Sequence, residues 1–323
     1  MRTGWLTDPR YLDHDTGKGH PERPDRLRSI VQAVEGAGLI ERLERLAARP
    51  ATADEVAAVH EQQYVERLIA ACNGGARYID VPDSAICPAS YEVALLAAGG
   101  VLAACDAVMA GQVRNAFCAI RPPGHHCHED YSMGFCLLNN AAIAARYLRR
   151  RHGLGRVLIL DWDVHHANGT QHVFEKDGSV FLCSFHEHPT YRYPGSGYVW
   201  EQGEGPGRGC ILNIPMLPHA TDEDYMNAYR SRFLPAAREF NPQFILVCAG
   251  FDAHADDPLA TQDVTQDGFD WLALQARRLA HDCCGGRLVS LLEGGYNLEA
   301  LSRCVVSHLE ILLEEDPCSS ATA

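Results

Sequence analysis

No apolar run in this 323-residue chain approaches the roughly 20 residues needed to cross a bilayer. The opening Met1-Arg2-Thr3-Gly4-Trp5-Leu6 lacks the apolar stretch of a signal peptide, so a cytoplasmic protein with no membrane partner is expected. Positive charge is also scarce. Twenty-eight Lys and Arg face 42 Asp and Glu, a formal net charge of −14, which argues against nucleic acid as a partner. The same balance is compatible with cationic substrates such as lysine-rich tails or polyamines, and also with nothing more than solubility. Repeats, low-complexity segments and linkers are missing. One domain over residues 1–315 is therefore expected, with residues 316–323 as a frayed tail. Cysteine is plentiful at thirteen, but no pair has ribbon or knuckle spacing. Most, such as Cys118, Cys136, Cys183 and Cys248, sit in apolar runs, as reduced buried thiols do.

A core is affordable, since 46% of the residues are hydrophobic. After a first strand near 3–6, the cluster Gly19-His20-Pro21-Glu22-Arg23-Pro24 marks a rigid loop. Helical spacing follows from Leu27 to Gly36 and again over 54–59 and 64–71, with a loop from 74 to 88. Residues 91–110 form a long small-residue helix, able to pack closely on a sheet. Beyond it, strand candidates at 116–120, 157–161, 180–185, 210–214, 244–248 and 288–292 alternate with helices. Those helices fall at 139–151, 169–174, 222–240, 268–281 and 298–313. Strands apolar throughout, alternating with helices, predict a mainly parallel sheet covered on both faces.

Each strand is followed by something reactive or tight. The endings are Arg121-Pro122-Pro123-Gly124-His125-His126, Asp161-Trp162-Asp163-Val164-His165-His166, Ser184-Phe185-His186, Gly250-Phe251-Asp252-Ala253-His254 and Glu293-Gly294-Gly295-Tyr296. Ligands of open α/β sheets bind outside the carboxyl ends of the strands, so these endings are expected to converge on an active site. In the second, a period of two keeps Asp161, Asp163 and His165 on one face while the backbone stays extended. A solvated Asp-x-Asp is the plainer alternative. Asp163, His165 and Asp252 make a set of three metal ligands with a position left open for water, the mark of a catalytic site. For Asp252 the alternative is a helix N-cap. The tandem imidazoles of His125 and His126, presented after a Pro-Pro-Gly turn, suit proton transfer to and from water. Tyr296, after two glycines, suits hydrogen bonding to an oxyanion or, more plainly, packing. Phe135, after Gly134, is either a slender aromatic wall or an ordinary core residue.

Taken together, Arg-Pro-Pro-Gly-His-His at 121–126, Gly-Phe-Cys at 134–136, Asp-Trp-Asp-Val-His-His at 161–166, Ala-Gly-Phe-Asp at 249–252 and Leu-Glu-Gly-Gly-Tyr-Asn at 292–297 resemble the zinc-dependent histone deacetylase family. The similarity runs from about His20 to Leu313. Trp162, Asn168 and Glu293-Gly294-Gly295 resemble its class II branch, which includes bacterial deacetylase-like amidohydrolases and acetylpolyamine amidohydrolases. The resemblance implies the arginase–deacetylase fold, a single three-layer α/β/α domain with a mainly parallel central sheet. It implies one zinc ion on Asp163, His165 and Asp252, with His126 as main general base and acid and His125 assisting. Asp161 would orient His125, Asn168 would stand where class I members carry a second Asp, and Tyr296 would stabilise the oxyanion.

Phe135, with Gly134 before it, and Phe185 would flank an acyl-lysine tunnel, Gly294 and Gly295 would border the substrate, and Asp83 would hold it from the rim. Arg26 resembles the arginine of an internal channel for acetate. Potassium would bind at Asp161, Asp163, His165, Ser184 and Phe185, and at a second site near Phe174, Asp177 and Val180. Leu259 stands where polyamine-specific eukaryotic relatives carry an acidic gatekeeper. The expected activity is therefore removal of acetyl or related acyl groups from lysine-like amines, on a protein or peptide or on an acetylated small amine. Acetylpolyamine hydrolysis is the alternative within enzymes, and a non-catalytic acyl-lysine binder is the alternative outside them. A ureohydrolase would need more carboxylates around two manganese ions. A homo-oligomer is compatible with all of these.

Overall fold

The computed structural model of the chain describes residues 2–314. Eight parallel strands form one sheet: β1 Thr3–Leu6, β2 Glu44–Leu46, β3 Asn115–Cys118, β4 Val157–Asp161, β5 Val180–Glu187, β6 Ile211–Met216, β7 Phe244–Ala249 and β8 Leu288–Leu292. Their spatial order is β2-β1-β3-β8-β7-β4-β5-β6. The parallel character expected from the sequence extends to every strand pair. β2 escapes the sequence pattern because it is a three-residue edge strand, Glu44-Arg45-Leu46, with too little apolar content to register.

The helices are α1 Asp25–Gly36, α2 Ala53–Val56, α3 Gln62–Asn73, α4 Ser90–Met109, α5 Asn140–His152, α6 Asn168–Phe174, α7 Asp222–Ala228, α8 Leu234–Phe240, α9 Gln266–Cys284 and α10 Leu298–Leu313. α4 and α5 pack together and against β3, β8, β4 and β7, whereas α10 packs on α1 and α9 and against β1 and β3. Helices on both faces account for strands buried along their whole length, as in Val157-Leu158-Ile159-Leu160-Asp161. Each such aliphatic side chain contributes roughly 1.5–3 kcal/mol through removal from water.

Two expectations about helices need correction. α4 is, by length and composition, long and apolar enough to cross a membrane, the one such helix among the described residues. Its small side chains are instead mostly buried within the domain, as befits a core helix. The single helix expected over 222–240 is split by a π-turn at Tyr229–Phe233. Pro235 lacks the N–H that would continue the ladder, and the Leu234 N–H reaches back to Tyr229 O across five residues. Where helix signals are strong the ends are well defined. Asn139 caps α5 by accepting from the Ala142 N–H at 3.0 Å, Gly153 closes it in the left-handed conformation, and Arg149, Arg150, Arg151 and His152 complement its dipole. The expected tail at 316–323 lies outside the described residues.

Candidate active site

β3, β8, β7 and β4 are neighbours in the sheet, so the loops leaving their carboxyl ends meet above it. This brings together four of the five reactive endings. Asp161, Asp163 and His165 converge, but not by strand alternation. β4 stops at Asp161, and the chain then folds through two short turns. The Asp161 carboxylate accepts from the Asp163 N–H and the Asp163 carboxylate accepts from the His165 N–H, at 3.0 and 2.9 Å. Aspartate favours such turns because its side chain can hydrogen-bond its own backbone two residues on.

The same carboxylates are fixed from behind. The Gly294 N–H donates to Asp163 Oδ2 at 2.7 Å and the Val164 N–H donates to Asp252 Oδ1 at 2.9 Å. The remaining oxygens, Asp163 Oδ1 and Asp252 Oδ2, lie 3.0 and 3.1 Å from His165 Nδ1. Ligand atoms of all three residues fall within 4.8 Å of one another. Two carboxylates buried side by side repel unless a cation offsets them, and an imidazole with two carboxylates is a donor set that zinc accepts. The three residues thus fit a metal ion. Gly294 leaves no room for a side chain, since a Cβ there would lie 2.1 Å from Asp252 Oδ2.

His125 and His126 lie side by side with ring centroids 4.0 Å apart and different partners. His125 Nδ1 is 3.0 Å from Asp161 Oδ2, and His126 Nδ1 is 2.6 Å from the Asn168 amide oxygen. Burial disfavours charge on both. On His125 the carboxylates of Asp163, Asp161 and Glu293 outweigh burial and raise its pKa well above the usual value. On His126 burial, reinforced by His125 and His165, pushes the pKa well below it. Burial also raises the Tyr296 phenol well above its ordinary pKa, keeping the proton it would donate.

A cavity of about 240 Å³ opens above this floor, lined by Asp83, His126, Gly134, Phe135, His165, Arg192, Tyr193, Leu259 and Tyr296. Gly134 and Phe135 both have positive φ, 57° and 68°. A Cβ on Gly134 would strike the His126 ring at 2.2 Å. Phe135 is a bulky residue in a region such residues avoid, the kind of local cost concentrated at functional sites.

Phe185 does not flank the cavity as expected. Alternate side chains of β5 face opposite sides of the sheet. Ser184 sits in register with Asp161, while Phe185 packs among Tyr225, Tyr229 and Phe233. The second aromatic wall is Tyr193, in the loop before Pro194-Gly195, edge-on to His126 at 5.2 Å. Gly294 and Gly295 also lie behind the site rather than along the cavity. Gly295 O accepts from Arg26 Nε at 2.7 Å, and the buried Arg26 guanidinium lies 5.1 Å from the Tyr296 ring centroid.

Of the positions expected to hold potassium, Asp161 and Ser184 are adjacent across β4 and β5. At the second, Phe174 and Val180 are buried, but the Asp177 carboxylate is engaged by Arg146 and the Ser179 N–H.

Four acidic residues support the site in roles that the sequence did not assign to them. Glu293 is buried and accepts from the Gly124 and His125 N–H groups at 2.8 and 3.2 Å, and burial lifts its pKa to about 7. Glu22 takes both arms of Arg121 at 2.7 and 2.8 Å and bridges to Arg26. Breaking such a buried pair costs roughly 3–5 kcal/mol. Asp257 accepts from the Tyr296, Asn297 and Leu259 N–H groups at 2.6, 3.1 and 3.0 Å. Glu187 joins two rim loops, taking Arg192 Nε at 2.8 Å and the Thr261 hydroxyl at 2.6 Å. Glu22 and Glu293 stand inside quoted clusters and Glu187 and Asp257 outside them, but the role of each becomes recognisable only once separate segments meet.

Comparison with known proteins agrees with this geometry. Residues 20–312 match the histone deacetylase domain. The histone deacetylase-like amidohydrolase of Pseudomonas aeruginosa is 40% identical over 309 residues, spanning 96% of this chain and 79% of that protein. A probable deacetylase of Archaeoglobus fulgidus is 40% identical over 301 residues, spanning 93% and 82%. The crystal structure of the HDA15 HD domain superimposes with a TM-score of 0.91 at 38% identity, covering 97% of this chain and 88% of that one. With fold, site and sequence in agreement over nearly its whole length, the chain belongs to the histone deacetylase family and is a hydrolytic deacetylase.

Proposed function

We propose that this protein removes acetyl or a related acyl group from lysine side chains of proteins or peptides, with zinc held by Asp163, His165 and Asp252. The observation that carries the reading is the convergence of His126, His165 and Tyr296 on the floor of one cavity walled by Phe135 and Tyr193. Zinc, when bound, supplies a Lewis acid that acidifies water and polarises the amide carbonyl. The chain's own residues do the rest. Phe135 and Tyr193 enclose the aliphatic stem and exclude bulk water. His126, its Nδ1 engaged by Asn168, has Nε2 free to take a proton from water and return one to the departing amine. His125, held by Asp161, keeps positive charge beside the developing oxyanion. Tyr296 donates its phenolic proton to that oxyanion, its backbone pinned by Asp257. Potassium at Asp161, Ser184 and neighbouring carbonyls would stiffen the turn that carries the ligands.

Acetylpolyamine hydrolysis is the second reading, favoured by Asp83 on the cavity wall and the net charge of −14. Leu259 on the same wall disfavours it, since an apolar side chain offers a cationic amine nothing. Specificity constants for acyl-lysine peptides and acetylpolyamines, measured on protein of known zinc content, test the proposal. Peptides should be preferred. A preference for the polyamine of more than about tenfold, roughly 1.4 kcal/mol, would reverse the assignment.

A further inference from the structure

The two histidines differ in what holds them. A carboxylate such as Asp161 accepts at either oxygen, so turning it over changes nothing for His125. An amide has one accepting and one donating end, and a half-turn about its last torsion exchanges them without changing its shape. The orientation of Asn168 therefore decides where the proton on His126 resides. With Asn168 Oδ1 at 2.6 Å from His126 Nδ1, the ring carries its proton on Nδ1 and keeps Nε2 as a base. In the opposite orientation Nδ1 would have to accept, the proton would move to Nε2, and the base would be lost.

The donating end of Asn168 is occupied. Its Nδ2 lies 2.8 Å from His128 Nε2 and 3.1 Å from the Met133 sulfur, a weak acceptor. The backbone N–H of His128 donates to Tyr131 O at 2.9 Å, which fixes the chain that carries the ring. The groups around its ring are His172, 4.7 Å away by ring centroids, whose Nε2 is 3.8 Å from Glu129 Oε2, together with Asp130. Burial, aided by His172, lowers the His128 pKa below its ordinary value and favours the neutral ring. Since an amide nitrogen donates and cannot accept, the 2.8 Å contact requires the lone pair of that ring to lie on Nε2.

We propose that His128 is a positioning residue for the deacetylase reaction: by accepting from Asn168 it fixes that amide and holds His126 in the tautomer whose Nε2 can act as base. This rests on the reading of His126 as general base given above. His128 touches neither substrate nor reacting atoms and acts only through Asn168.

Three substitutions in the full-length, zinc-loaded protein test it. His128→Leu removes the acceptor but leaves Met133, so kcat should fall about 5–10-fold, the effect of one hydrogen bond, with KM unchanged. His128→Gln restores an amide oxygen and should return kcat to within about twofold of wild type. His128→Lys offers donors only, and should lower kcat about 10²-fold by turning the amide round. Two-bond 1H–15N correlations on histidine-labelled protein, with His126 assigned by its own substitution, report which ring nitrogen is protonated. The signal should read Nδ1–H in wild type and His128→Gln, and Nε2–H in His128→Lys.

Nε2–H in the wild type would overturn the proposal, as would an unchanged His126 pattern in His128→Lys. Equal losses in all three variants accompanied by a lowered Tm would replace it with a merely structural role. If the wild type hydrolyses no acyl-lysine or acetylpolyamine, the proposed function fails, while the tautomer measurement still decides the role of His128.

Discussion

The floor of the active site and its rim are held by different kinds of bond. On the floor, Asp161 and Asp163 are fixed mainly by backbone N–H groups two residues along the chain, and Asp163 and Asp252 by the N–H groups of neighbouring strand ends. At the rim, Glu187 ties two loops through side-chain donors, the Arg192 guanidinium five residues on and the Thr261 hydroxyl 74 residues away, while Asp257 accepts from the Leu259 N–H two residues on. Backbone donors make the floor a property of the strand endings themselves. Side-chain donors, which a substitution removes without moving the backbone, make the rim adjustable, and a site built this way can change its substrate while keeping its chemistry.

The sharpest way to break the comparison is at the floor. Asp252→Ala removes one of three metal-holding side chains and should abolish both zinc retention and turnover. Stoichiometric zinc in the purified variant, by elemental analysis, would show that the wrong residues have been assigned. Next in size is Tyr296→Phe, which deletes one hydroxyl and leaves the ring against Arg26. Its kcat should fall about 10²- to 10³-fold with zinc content unchanged. Wild-type kcat in that variant would reduce Tyr296 to packing.

At the rim the expected effects are smaller and change selectivity rather than rate. Leu259→Glu places a carboxylate on the cavity wall and should raise the kcat/KM of an acetylpolyamine relative to an acetyl-lysine peptide about tenfold. An unaltered ratio would mean that substrate choice is set elsewhere on the wall.

The smallest effect lies beneath both regions. Burial pushes the pKa of His60 down to about 4 and that of His308 to about 3, against about 6.5 in the unfolded chain. Between those values the unfolded state binds more protons, so stability rises with pH. Their contribution is complete above about pH 6.5 and is lost as the pH falls toward 4 and then 3. Urea midpoints should drop between about pH 7.5 and 5, and replacing His60 by Gln should flatten that dependence.

The same division governs what could be read from the sequence. Apolar strand runs gave the parallel sheet, and the endings at 121–126, 161–166, 250–254 and 293–296 gave the floor, because residue type and chain proximity determine those contacts. Even there the means differed, with two aspartate turns standing in for the alternation expected of an extended strand. Phe185 was misplaced because its resemblance to a wall residue carries no information on which face of β5 it occupies, whereas the strand period assigns it to the core. Tyr193, Glu187 and Asp257 were overlooked because the contacts that give them a role at the site join separate loops. Each meets a partner tens of residues away, Tyr193 with His126, Glu187 with Thr261 and Asp257 with Tyr296, and no spacing encodes a meeting between loops. Glu22 and Arg121, 99 residues apart, and Gly124 and Glu293, 169 apart, are further cases.

Asp257 joins the two regions. One of its oxygens accepts from the Leu259 N–H on the cavity wall, and the other accepts from Tyr296 and Asn297. Asn297 in turn caps α10 through the Glu299 and Ala300 N–H groups. The loop that selects the substrate and the phenol that serves the reaction thus share an anchor, itself braced against a 16-residue helix. In evolutionary terms, lengthening or shortening the 257–261 loop cannot be selected for substrate alone, because the same change drags the position of Tyr296. Variation that retains turnover is therefore channelled into side-chain replacement at Leu259 and away from insertion and deletion.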